Sequence, residues 1–155
     1  MIKTNAARIL DQQGIHYDLV SYEVDESDLS AVSVAQKIGQ DIERVFKTLV
    51  LRGDKTGVFV CIIPGAGELN LKKAALASGN KSTEMVAVKE ITDLTGYIRG
   101  GCSPVGMKKK YPTYIDETCT LYDYIFVSAG VRGLQFKISP DDLISVVSCI
   151  VSDLV

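Results

Sequence analysis

RVFKTLVLRGDKTGVFVCII, residues 44–63, decides the fold. FKTLVL and VFVCII are apolar, β-branched runs, and the polar RGDKTG between them carries two glycines suited to a turn. The stretch therefore reads as a β-hairpin. VFVCII is apolar on both faces, which places this hairpin at the centre of a sheet covered on both sides. The pleat puts Phe46, Thr48 and Val50 on one face and Lys47, Leu49 and Leu51 on the other. Lys47 is the anomaly, because an ammonium in an apolar strand is costly unless its stem bends toward water or an anion meets it.

Working outward, residues 3–13 place Ala6, Ile9 and Leu10 at helical spacing before Gly14. Residues 15–24 alternate as a strand. DESDLS then supplies an N-cap for the helix AVSVAQKI, which Gly39 closes. Beyond the hairpin, LNLKKAALAS starts with Asn70 and ends at Gly79 as a helix, TEMVA is a short strand, and VKEITDLT is another helix. PTYID, YIFVS and LQFKI are strands, with AGVRG looping between the last two. Ser139-Pro140-Asp141-Asp142 opens a further helix with serine as N-cap and proline at the first helical position. SCIVSDLV provides the last strand. Strands and helices intermix without one-to-one alternation, so residues 1–155 form one α+β domain, a mixed curved or barrel-like sheet surrounded by helices.

Composition narrows the chemistry. The 155 residues are 46% apolar and carry 17 basic against 19 acidic side chains, enough for one core but too acidic for broad attraction to RNA. No run of 18 uncharged apolar residues is present, and the charged N-terminus lacks a signal-peptide pattern, so a cytoplasmic protein without membrane attachment is expected. Cys61, Cys102, Cys119 and Cys149 form no C-x-x-C pair, so free thiols and no metal or other cofactor are expected. His16 is the single histidine. It lies in an ordinary early strand, IHYDLVSYEV, so an enzyme built on this chain works without a histidine relay.

Two loops stand out. Gly100, Gly101, Ser103, Pro104 and Gly106 form GGCSPVG, whose glycines let backbone approach a ligand, although it is neither a Walker A nor a dinucleotide motif. Ser128-Ala129-Gly130-Val131-Arg132-Gly133 again joins a hydroxyl, glycines and a cation after a buried strand. Each is also compatible with an ordinary turn.

FKTLVL at 46–51, LNLKKAA at 69–75, TGYIRGGCSPVG at 95–106 and VSAGVRGL at 127–134, in that order, resemble the YbaK family of aminoacyl-tRNA deacylases. That family is related to the editing domain of bacterial prolyl-tRNA synthetases. The resemblance implies hydrolysis of cysteine wrongly attached to tRNA(Pro), with prolyl-tRNA synthetase as the protein partner. It implies Lys47 as the catalytic residue, and Tyr22, Thr48, Gly100, Gly101, Ser103, Pro104, Ser128 and Gly130 as substrate-binding residues. It also implies a substrate-assisted reaction, in which the thiol of the bound cysteine attacks its own ester. Cys102 departs from the small aliphatic residue expected there, and packing is its simplest role. Arg99, Lys108, Lys109, Lys110 and Arg132 form a candidate basic rim. An Ala-tRNA(Pro) deacylase and a noncatalytic nucleotide- or amino-acid-binding module are the alternatives.

Overall fold

The computed structural model describes residues 3–155. Helix α1 spans Asn5–Gln12, its first turn capped by the Thr4 hydroxyl accepting from the Ala7 amide. Strand β1, Tyr17–Ser21, leads to α2, Ala31–Ile38, which the Ser30 hydroxyl caps and Gly39 ends with a φ of 68°. The hairpin follows as β2, Phe46–Gly53, and β3, Gly57–Pro64, paired from Phe46 opposite Pro64 to Gly53 opposite Gly57. Next come α3, Leu71–Ser78, capped by Asn70, then β4, Thr83–Met85, and α4, Ile91–Thr95. The chain finishes with β5, Thr113–Asp116, β6, Ile125–Ser128, β7, Leu134–Ile138, α5, Pro140–Val147, and β8, Ile150–Ser152. Ser139 sits at the N-cap position of α5 as its sequence suggests, but its side chain makes no capping hydrogen bond.

The strands divide into two sheets and no barrel closes. One sheet is antiparallel in the order β1-β7-β6, and the other is mixed in the order β4-β2-β3-β5-β8. They touch through a bridge between Val45, just before β2, and Phe126 of β6. The hairpin is central to the larger sheet, with β3 in the middle. The pleat divides its side chains between two cores: Phe46 and Ile62 pack with α1, α5 and the smaller sheet, whereas Leu51, Phe59, Cys61 and Ile63 pack beneath α3. A third cluster joins α2, through Val34 and Ala35, to Val45 and Phe126. Burial of these side chains from both sheet faces is the main stabilising term.

Candidate functional site

The two ends of β2 are treated differently by its neighbours. Strand β4 pairs with Leu51 to Gly53 only, and the amide of Val86 extends the contact to the Val50 carbonyl. At the other end the bridge from Val45 closes the ladder. Between them, among the described residues, no strand pairs with residues 46–49 on that side. The gap opens into a cleft of about 440 Å³, and because β2 forms its edge, residues from both faces of the strand reach it: Phe46 and Thr48 from one, Lys47 and Leu49 from the other. Leu29, Ala31 and Val34 close it on one side, Met85, Val86, Val88 and Ile91 on another, and Arg99, Gly100, Cys102, Ser128 and Gln135 also line it.

Lys47 is half-buried and, among the described residues, makes no hydrogen bond and no ion pair within 4.0 Å. Burial pushes its pKa below the usual lysine value, and the negative charge of Glu68 offsets this only in part. It is an ammonium with room for an anion or an oxygen. Cys102 shares the cleft, but burial pushes its thiol up to about 11, so at neutral pH it is protonated and a poor nucleophile. The same cause raises Cys61 and Cys149 to about 12 and Cys119 to about 11. His16 is exposed and does not line this cleft. Among the described residues no cluster of histidine, cysteine or acidic side chains is arranged to hold a metal ion.

The two glycine loops meet each other. Arg132 donates from Nε to the Arg99 carbonyl at 2.8 Å, and its guanidinium lies 3.9 Å from Glu26. A Cβ on Gly101 would sit 3.0 Å from the Arg132 amide nitrogen and 3.1 Å from Val131 backbone. Gly100 needs its lack of side chain for another reason, a φ of 84°. The serines hold turns: the Ser103 hydroxyl accepts from the Val105 amide and that of Ser128 from the Gly130 amide, both at 3.2 Å. Tyr97 buttresses both loops, donating to the Val105 carbonyl at 2.5 Å and standing 3.0 Å from where a Cβ on Gly130 would fall.

Of the residues singled out in the sequence, Lys47, Thr48, Gly100 and Ser128 line the cleft together. Gly101, Ser103 and Gly130 instead shape the loops behind it. Pro104 faces a second cleft of about 210 Å³ with Lys109 and Lys110, and Tyr22 packs in the α2 cluster. Lys108, Lys109 and Lys110 are exposed, while Arg99 reaches the main cleft. Sequence reasoning missed Gln135 and the apolar wall from Met85 to Ile91. A lone glutamine in LQFKI reads as solvent-facing, and the wall residues look like an ordinary short strand and helix.

Comparison with known proteins gives these features a context. The aminoacyl-tRNA editing domain family matches residues 26–146. An Enterococcus faecalis protein called "Putative Cys-tRNA(Pro)/Cys-tRNA(Cys) deacylase EbsC" is 50% identical over 143 residues, covering 92% of this chain and 87% of that protein. A solved structure described as "a putative trans-editing enzyme for prolyl tRNA synthetase" superposes with a TM-score of 0.84 at 28% identity, covering 99% of this chain and 98% of that one. A proline–tRNA ligase of Thermosipho melanesiensis is 34% identical over 74 residues, 48% of this chain but 13% of the ligase. With a family match spanning most of its length, and both glycine loops and the lysine cleft inside that match, the chain belongs to the YbaK-type family of aminoacyl-tRNA editing domains.

Proposed function

We propose that this protein hydrolyses mischarged Cys-tRNA(Pro) in trans, after its release from prolyl-tRNA synthetase in the cytoplasm. The observation that carries the reading is the unpaired, half-buried Lys47 at the open edge of β2, in a cleft without histidine or carboxylate. The Enterococcus faecalis relative and the trans-editing fold match support the substrate class.

An aminoacyl ester is already activated, so the site needs to position it and stabilise the oxyanion that develops. Lys47 holds ester or ribose oxygens with its charge. Backbone amides at the open edge and in the glycine loops take the oxyanion. The substrate cysteine supplies the nucleophile: its sulfur bonds to its own carbonyl carbon, the ester C–O bond breaks, and the thiol proton passes to the departing ribose oxygen. Water then opens the cyclic thioester and releases cysteine. Thr48, Gly100 and Ser128 contact the aminoacyl end, while Gly101, Ser103, Pro104 and Gly130 hold the loops and Tyr22 supports the α2 wall.

Deacylation of Cys-, Ala- and Pro-tRNA(Pro), each at the same enzyme concentration, tests the reading. Cysteine should be released fastest and proline spared. Preferred release of alanine would reassign the chain as an Ala-tRNA(Pro) deacylase. Release of none, with the RNA still bound, would make it a binding module.

A further inference from the structure

Two buried acceptors in the cleft have no partner among the described residues, Oγ1 of Thr48 and Oε1 of Gln135. They come from different sheets. Thr48 lies on the open edge of β2, and Gln135 lies on β7 directly across from Ser128 of β6. Gln135 is only 5% exposed. Ser128, whose hydroxyl accepts from the Gly130 amide at 3.2 Å, makes no hydrogen bond to it. Leaving a buried oxygen without a donor costs free energy, and native proteins keep few such groups without a use for them. A cleft that keeps two is shaped for a donor arriving from outside.

The electrostatics say which donor fits. An aminoacyl ester, the substrate class of the proposed function on which this inference rests, carries several N–H donors on its α-ammonium. That cation is repelled by Lys47, and no carboxylate lines the cleft to attract it. Neutral oxygens are suited to it, one on the opposite pleat face of β2 from Lys47 and one on the other sheet, and charge-assisted hydrogen bonds to them are stronger than those between neutral groups. We propose that Gln135, assisted by Thr48, receives the α-ammonium of the aminoacyl group, so that the protein selects acyl esters with a free α-amino group.

Stable mimics of the tRNA end separate this proposal from the choice of amino acid. Calorimetry would compare 3′-amino-3′-deoxyadenosine carrying a cysteinyl amide with its deamino counterpart, the 3-mercaptopropanoyl amide, and likewise alanyl with propanoyl. Wild type should bind each amino-bearing member about 10- to 100-fold more tightly, as expected when a missing donor strands buried acceptors. Gln135→Leu should reduce that ratio to within about threefold while Gln135→Glu preserves it, and Thr48→Val should reduce it less. A ratio near one in wild type, or a ratio unchanged in folded Gln135→Leu, would overturn the proposal even if Cys-tRNA(Pro) is hydrolysed. Equal ratios for the cysteinyl and alanyl pairs would support it even if the cysteine preference fails. Binding of neither pair would overturn it together with the deacylase reading.

Discussion

The closed and open ends of β2 differ by a few residues and have opposite designs. From Leu51 to Gly53 the strand is paired on both sides, and Arg52 reaches Glu90 at 3.1 Å while Glu90 also accepts from the Ala87 amide at 3.1 Å. Among the described residues, no buried side-chain polar atom there lacks a partner. Among the described residues, one side is unpaired from residue 46 to 49, Thr48 has an unsatisfied hydroxyl, and Lys47 has lowered basicity, with Glu68 acting on it from beyond ion-pair distance. Within a single strand, the closed end supplies rigidity and the open end leaves its hydrogen-bonding and charge capacity free for a substrate.

Removing the charge at the open end should have the largest effect on activity. Lys47→Met is expected to lower Cys-tRNA(Pro) hydrolysis by about 10²–10³-fold, as for loss of a transition-state charge contact. Its thermal midpoint at neutral pH should be no lower than that of wild type. The sign follows from the depressed pKa: the folded state disfavours the charged lysine, so the penalty is present at neutral pH and relieved as pH rises through the folded pKa toward the ordinary lysine value of 10.5. Stability curves at pH 7 and above would reveal this, and a large loss of stability in Lys47→Met would show that the lysine is a structural element instead.

The loop contact comes next. Gly101→Ala should cost about 1–3 kcal/mol and reduce turnover about tenfold, because the added methyl must displace the backbone at Val131 and Arg132 rather than a flexible side-chain tip. Denaturant melts with parallel kinetics would check it. Loss of turnover without loss of stability would move Gly101 into the substrate contact.

Loosening the closed end should matter less. Arg52→Ala frees Glu90 and the segment that carries Val88 into the cleft, so KM for Cys-tRNA(Pro) should rise about two- to fivefold with kcat little changed. The smallest effect is expected at Cys102, whose thiol is pushed up to about 11. Cys102→Ala should stay within about twofold of wild type in single-turnover hydrolysis, since a protonated thiol is a poor nucleophile.

Much of this was legible in the sequence where the signal is local. The hairpin, its two faces, and the caps at Ser30, Asn70, Gly39 and Gly79 follow from periodicity and capping chemistry. Lys47 stood out because a cation interrupts an apolar strand. The division into two sheets was not legible, because it depends on which distant strands pair: β3 with β5 and β5 with β8 in parallel, β1 with β7 across most of the chain. For the same reason the packing of Gly101 was not legible. A Cβ there would meet backbone some 30 positions later in the chain, at Val131 and Arg132. Gln135 escaped notice because burial of a polar strand residue leaves no mark on the sequence around it.

The central claim is that the chain supplies charge and position at an open strand edge while the substrate supplies the nucleophile. Single-turnover hydrolysis of Cys-tRNA(Pro) and Ser-tRNA(Pro) at neutral pH tests it most directly, since the two esters differ only in sulfur for oxygen. The account predicts that the cysteine ester is cleaved about 10²-fold faster or more, because a hydroxyl is far less ionised than a thiol. Comparable rates for the two esters would contradict it.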